Sequence, residues 1–315
     1  MVKIIYLDID GTLRDEINEI TKNVKDAIRK CREKGIYIIV CTGRNPGSIQ
    51  EDVRNLEMDG IISGGGCFIQ LGSRMLKSEH FSVKVIEKIL KLIHEQNLGA
   101  SLESKEEIYM NHNAAEFYRK DFEKKFFGYP HAEQAKKKNK IQYEDNFIRL
   151  QEKSRKIHKI CLIGREESVS EAERRFGEIS QIVQKRRWNE EWYLELLPKD
   201  CGKGKAVCEI NKRLGIRKEN SMSFGDGDND IEMFLETGVN VAVKGASQQL
   251  LKYADSICET PSEDGIPKEL EKRGIIEACK EPLKAERKYK ERRVIGNGKR
   301  MVAARGCLSN LSKEF

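Results

Sequence analysis

The runs KIIYLDI and IYIIVC are apolar at successive positions rather than at alternate ones. Between them, TKNVKDAIRKCREKG sets Val24, Ala27, Ile28 and Cys31 on one helical face. A strand that is apolar on successive residues has both faces covered, and a helix joining two such strands is the crossover of a parallel sheet. Thr21 is placed to cap that helix and Gly35 to stop it. GSIQEDVRNLEM reads as helix again, and DGIISGGGCFIQLG as a short strand, three glycines and a hairpin-like strand.

The pattern breaks at about residue 81 and returns after Pro198. SVKVIEKILKLIHEQN is an amphipathic helix, ASLES and EIYMN are short strands, QAKKKNK is a polar loop, and KIHKICLIG and EWYLELLP are further strands. This is α+β patterning. Beyond it the spacing predicts a helix over 203–214, the strand SMSFGD, a helix over 229–236, the strand VNVAVKG, a helix over 246–253, the strand ADSICE and a last helix near 266–278. The expected organisation is a core of 1–80 and 190–279, split by an α+β insert over 81–189, with a tail at 280–315.

The net charge of +7 raises the question of a nucleic-acid partner, which its position answers. Lys280 to Phe315 holds eleven Lys/Arg against four Asp/Glu, so residues 1–279 are neutral, 47 basic against 47 acidic. A nucleic-acid footprint belongs on a folded face, so basicity confined to a tail disfavours one. That tail reads as a solvated, poorly ordered charge run. The nine cysteines (31, 41, 67, 161, 201, 208, 258, 279 and 307) are odd in number, scattered and without a C-x-x-C pair, as expected of reduced thiols in a cytoplasmic protein. Runs such as IYIIVC fall far short of the ~20 residues a membrane helix needs. Near the N-terminus, Lys3 and two aspartates stand where a signal peptide has its apolar core, so none is expected. Oligomeric state is left open.

Four strand or helix ends carry the chemistry. Residues i and i+2 of a strand point the same way, so Asp8 and Asp10 are expected to emerge together where open parallel sheets bind ligands. VCTGR brings Thr42, Gly43 and Arg44 to the end of the second strand: a hydroxyl, a bare backbone N–H and a guanidinium. PKDCGKGKAV places Lys203 in a glycine-flanked turn opening a helix, and SFGDGDNDIEM sets Asp226, Asn229 and Asp230 at a third strand end.

In this order, D-x-D-G-T-L, the strand-end threonine, the lysine and G-D-x-x-N-D resemble the haloacid dehalogenase (HAD) superfamily of phosphohydrolases. The T-G-R, L-P-K…G-K-G-K and G-D-G-D-N-D-I-E-M forms are similar to its Cof-type subfamily. The resemblance covers about 1–275. It implies an α/β fold: a Rossmann-like core on a parallel sheet, with an inserted α+β cap of C2 type. It also implies a Mg²⁺-dependent phosphatase of small phosphorylated metabolites, sugar phosphates or cofactors such as pyridoxal phosphate or flavin mononucleotide. Asp8 would then be the nucleophile, Asp10 the acid/base, and Thr42, the Gly43 N–H and Lys203 the groups that stabilise phosphoryl charge. Asp8, the backbone carbonyl of Asp10, and Asp226 would hold Mg²⁺. Asp230 would orient Lys203 or the metal shell, Asn229 would contact the substrate phosphate or Asp8, and Arg44 would contact substrate or act in cap closure, with a structural ion pair as the alternative. Gly65 departs from the subfamily's usual N-G-A, and Asp200 and Gly202 from the residues usual before the lysine.

Other readings of the same residues are weaker. Asp226, Asp228 and Asp230 open like a calcium loop, but Ile231 and Thr237 stand where that loop needs glycine and glutamate. CGKGKAV lacks the glycine spacing and the hydroxyl residue of a phosphate loop. The histidines at 80, 94, 112, 131 and 158 have no ligand spacing, and Trp188 and Trp192, flanking an expected turn, read as packing in the insert, with one of them lining the substrate cleft as the alternative. A phosphomannomutase-like mutase is the nearest rival function. A regulatory or nucleic-acid-binding protein using the tail is a more distant one.

Overall fold

A computed structural model of the chain describes residues 1–15, 18–127, 145–147 and 156–277. The tail over 280–315 and the QAKKKNK stretch lie outside them. The strands are β1 Ile4–Leu7, β2 Tyr37–Cys41, β3 Gly60–Ser63, β4 Phe68–Leu71, β5 Arg74–Ser78, β6 Gly99–Ser104, β7 Ile108–Met110, β8 Ile157–Gly164, β9 Ser180–Trp188, β10 Glu191–Pro198, β11 Ser221–Gly225, β12 Val239–Val243 and β13 Ser256–Cys258. The helices are α1 Lys22–Glu33, α2 Glu51–Arg54, α3 Val83–Glu95, α4 His112–Lys125, α5 Glu166–Phe176, α6 Lys203–Leu214, α7 Ile231–Leu235 and α8 Gly265–Lys272.

The core sheet runs β13-β12-β11-β1-β2-β3-β4-β5, parallel from β13 to β3 and antiparallel at β4 and β5. The α/β class with its inserted cap, expected from the sequence, is thus the fold observed. Strand β1 explains why its sequence has no polar alternation. Ile5 and Leu7 pack into one core with Val24 and Ile28 of α1, while Ile4 and Tyr6 pack into another with Val207 and Ile210 of α6. Both faces are dry, and the Tyr6 hydroxyl is satisfied by Asn211 Oδ1 at 2.9 Å. Thr21 caps α1 by accepting from the Val24 N–H at 3.2 Å.

The insert forms a second, antiparallel sheet in the order β7-β6-β8-β10-β9. Its strands alternate with period two. Leu102, Ile160, Leu162, Leu194 and Leu196 face α3 and α5, while Glu103, Lys159, Cys161, Tyr193 and Glu195 face the other way, toward the core domain. Strand β10 pairs with β8 and β9, so the insert's sheet runs to Pro198 and the expected boundary at 189/190 falls ahead of a strand that belongs to it.

Two expected helices are largely lost, and the one expected near 266–278 ends at Lys272. Over 246–253 there is only a 3₁₀ turn, Leu250–Tyr253, because the chain ahead of it is tied elsewhere. The Ser247 N–H donates to the Asp226 carbonyl at 2.9 Å and its hydroxyl donates to Asp228. Over 47–58 a 3₁₀ turn, Pro46–Ser48, and the single-turn α2 replace a long helix. Residues 45–47 hold the insert: Asn45 donates to the Ser104 carbonyl and the Gly47 N–H to that of Lys105, both at 2.8 Å. Strand β9 and helices α4 and α5 had no reading from sequence.

The three glycines at 64–66 form the close backbone crossing between β3 and β4. All have positive φ, and a Cβ on Gly66 would overlap the Gly202 carbonyl oxygen beside Lys203. Gly66→Ala is expected to destabilise the protein by at least about 2 kcal/mol, since both the conformation and the space are wrong. A urea midpoint unchanged from the parent would contradict this.

Candidate active site

Strand β1 lies between β11 and β2 and pairs in parallel with both, so three carboxyl ends meet. They deliver Asp226, Asp8 and Thr42 to one point at which the strand order switches direction, the crevice where open sheets bind ligands. β1 ends at Leu7, and the chain turns tightly over 9–12, with the Thr12 N–H on the Ile9 carbonyl and the Leu13 N–H on that of Asp8. Asp8 and Asp10 therefore part company instead of continuing along one strand face.

Asp8 points inward. Its Oδ1 accepts from Lys203 Nζ at 2.6 Å, and the same ammonium donates to Asp230 Oδ1 at 2.6 Å. Lys203 is 3% exposed and Asp230 fully buried. The other oxygen of Asp230 accepts from the N–H groups of Asp226 and Gly227, at 3.0 and 3.1 Å. Asp230 is thereby committed to holding Lys203 and the Asp226 loop. Burial pushes the Asp8 pKa well up; Lys203 opposes this, and Asp230, Asp226 and Asp10 add to it. Burial also opposes the charge on Lys203, but Asp230 and Asp8 hold its pKa well above the ordinary lysine value.

Asp226 accepts from the Thr12 hydroxyl at 3.1 Å and lies against Gly11, where φ is +84° and a Cβ would collide with the carboxylate. Burial, then the charge of Asp230, raises its pKa to about 7. Carboxylate oxygens of Asp8, Asp226 and Asp230 come within 4.8 Å of one another. One ammonium among three carboxylates, two buried and one half-buried, leaves surplus negative charge, and an all-oxygen set suits a hard divalent cation. Because Asp230 already accepts three hydrogen bonds, Asp8 and Asp226 are the side chains with ligand capacity to spare.

Asp10 turns to Arg44, which grips it with two bonds, Nε–Oδ2 at 2.5 Å and Nη2–Oδ1 at 2.8 Å. Burial would raise the Asp10 pKa, but Arg44, helped by Arg14, holds it below the usual carboxylate range. Thr42 is buried, and its Oγ1 accepts from the Arg44 N–H at 3.1 Å. Asn229 stands beside Gly43. Asp8, Asp10, Thr42, Gly43, Arg44, Asp226 and Asn229 all line a cleft of about 640 Å³ between core and insert, with Lys203 and Asp230 beneath its floor.

The insert supplies the other wall, which the motifs did not disclose. Glu103, Lys159 and Glu195 lie there with an aromatic group in which Trp188 stands edge-on to Phe117, Tyr118 and Tyr193. Trp188 thus lines the cleft as well as packing, whereas Trp192 packs against the insert's core. The signal that could have found the charged residues is present in YLELL and HKICLIG: charges on one face of an otherwise apolar strand. Arg14 was also missed. It is buried, pairs with Asp52 at 2.9 Å and lies near Asp10. Of the histidines, His158 is buried edge-on to Phe68, and burial lowers its pKa to about 3, so it is neutral packing.

A split core with a parallel sheet, a capping insert and an Asp–Lys–Asp cluster at the switch point defines a class of hydrolase. The family model of haloacid dehalogenase-like hydrolases matches residues 5–270, and the chain belongs to that family, as its four motifs indicated. It is 26% identical over 272 residues to YxeH of Bacillus subtilis strain 168, covering 84% of this chain and 96% of that protein. It is 26% identical over 274 residues to YcsE of the same organism, a 5-amino-6-(5-phospho-D-ribitylamino)uracil phosphatase, covering 85% and 94%. Among solved structures, the HAD subclass IIB sugar phosphatase BT4131 superposes with a TM-score of 0.68 at 24% identity, over 87% of this chain and 100% of that one, a likeness of fold. Among the described residues, no helix is long and apolar enough to cross a membrane.

Proposed function

We propose that this protein is a Mg²⁺-dependent phosphatase of small phosphorylated metabolites, working through an aspartyl-phosphate on Asp8. The observation that carries the reading is the Asp8 carboxylate, fixed by Lys203 at 2.6 Å next to Asp226 on the adjoining strand end. Asp8, Asp226 and the Asp10 backbone carbonyl would hold the metal, which supplies charge neutralisation between a carboxylate and a phosphate that repel by about 4 kcal/mol per unit-charge pair at 4 Å.

Asp8, with one oxygen held by Lys203, attacks phosphorus with the other, and the bond to the ester oxygen breaks. Lys203, the Thr42 hydroxyl and the Gly43 N–H meet the charge on the phosphoryl oxygens. Asp10 gives its proton to the leaving alkoxide, then takes one from the water that hydrolyses the intermediate. Arg44 has a part in this timing. While it grips Asp10 the carboxyl stays ionised; transferring its bonds to the substrate phosphate would let the Asp10 pKa rise, so that Asp10 takes up from solvent the proton it then donates. Cleft walls from the insert would exclude bulk water and select the leaving group.

The test is a panel of phosphate monoesters with and without Mg²⁺, headed by polyol and sugar phosphates because relatives carry those names. Mg²⁺-dependent release of free phosphate is expected. No release from any ester would sink the reading, and isomerisation of a hexose phosphate without release would favour the mutase. With its pKa raised to about 7, Asp226 binds a proton in the folded state between about pH 4 and 7 that the unfolded chain has lost. Its contribution to stability therefore falls as pH rises through that window. Mg²⁺ needs the ionised form, so it should raise Tm more at pH 8 than at pH 5. Equal Tm gains at both pH values would argue against Asp226 as a ligand.

A further inference from the structure

Lys159 sits on β8, the middle strand of the insert's sheet, yet its ammonium bonds into the catalytic loop, donating to the Gly43 carbonyl at 2.9 Å. It is flanked by Glu103, directly opposite in the β6–β8 register, at 2.8 Å, and by Glu195 on β10 at 3.9 Å. All three side chains are about nine-tenths buried. Burial opposes the charge on Lys159, and Glu103 and Glu195 keep its pKa above the ordinary lysine value. Three buried charges are a poor way to hold two domains together, since apolar side chains of the same volume commonly do so as well or better. The arrangement needs another reason.

We propose that Lys159 is a positioning residue, through which the insert sets the phosphate-binding loop Thr42–Arg44; the proposal rests on the phosphatase reading above. The path is short. The ammonium polarises the Gly43–Arg44 peptide at its carbonyl, which strengthens the Arg44 N–H as a donor. That N–H donates to Thr42 Oγ1 at 3.1 Å. With its oxygen engaged as acceptor, Thr42 is left to donate its own hydrogen toward a phosphoryl oxygen in the cleft. The Gly43 N–H, one peptide earlier, is held in the same alignment. The glutamates keep Lys159 charged and in register. The insert thereby contributes to catalysis itself, and docking of the insert and readiness of the loop become one event.

Lys159→Met alone would strand two buried carboxylates, so the informative variant is Lys159→Met/Glu103→Gln/Glu195→Gln, which keeps the volumes and removes all three charges. Two readouts are taken with Mg²⁺: kcat and KM for p-nitrophenyl phosphate, and the Kd of inorganic phosphate by calorimetry, which does not depend on turnover. The expected result is a folded protein whose Tm lies within a few degrees of the parent. Its kcat should fall on the order of 10–100-fold, with KM changed much less, as for a loop displaced by a fraction of an ångström, and phosphate should bind about tenfold more weakly. Parental kcat and phosphate affinity would overturn the proposal. So would a lower Tm with kcat per folded molecule unchanged, since that is what docking alone predicts. A parent protein that hydrolyses no ester refutes the phosphatase reading, and the phosphate Kd then decides the role of Lys159 separately.

Discussion

Asp8→Asn is expected to lower Mg²⁺-dependent kcat by at least about 10³-fold, roughly 4 kcal/mol of barrier, while leaving the protein folded. Asparagine fills the same space but cannot form the phosphoryl ester. The stability half of this prediction is the more discriminating one. Asp8 is buried beside Asp226 and Asp230, and its carboxyl resists ionisation. Replacing it with a neutral amide removes like-charge repulsion, so the metal-free Tm should hold or rise. Mg²⁺ should raise the variant's Tm less than the parent's, because a charged carboxylate ligand becomes a neutral amide oxygen. Loss of activity with a collapsed Tm would make Asp8 a structural acid. Substantial residual hydrolysis would remove it as the nucleophile.

Lys203→Met should lose both activity and stability. Its ammonium is the shared partner of Asp8 and Asp230, at 2.6 Å from each, and is almost wholly buried. Removing one member of a buried charge network leaves the others uncompensated, at about 3–5 kcal/mol. The expected picture is a Tm lowered by roughly 10 °C and kcat reduced on the order of 10²–10³-fold, as for loss of one group that stabilises developing charge. Much of the lost stability should return in Lys203→Met/Asp230→Asn, which removes the charge pair together, while activity stays low. A Tm within a degree or two of the parent in the single variant would show that the carboxylates are not relying on Lys203. The contrast between the two substitutions is physical: Asp8 is held against its own electrostatics, whereas Lys203 is held by them.

The core was legible because its signals are local. Continuous apolar strands, helical spacing at Val24, Ala27, Ile28 and Cys31, and the Thr21 cap each depend on a few neighbouring residues, and each has its counterpart in β1, β2 and α1. The helix expected over 246–253 went wrong for the opposite reason. Its residues are spent on the Asp226–Asp228 loop, a partner about twenty positions earlier that no helical periodicity reveals. The insert's boundary was missed similarly. EWYLELLP is a recognisable strand, but only its pairing with β8 and β9 says which sheet it joins.

Which residue types stand at the strand ends, and hence the class of chemistry, follows from the order of residues in the chain: two acids after β1, a hydroxyl and a guanidinium after β2, a lysine opening α6, and a carboxylate pair after β11. Side-chain chemistry and spacing along one strand are properties of the chain. How those residues are partnered depends on the packing of distant elements. That packing set Asp8 on Lys203 and turned Asp10 to Arg44, because the chain leaves β1 before Asp10 and twists the second acid away. It also brought Lys159 across to Gly43, 116 positions earlier in the chain. A contact of that separation exists only once two sheets have formed and packed, because the free energy that holds it comes from the burial of everything around it.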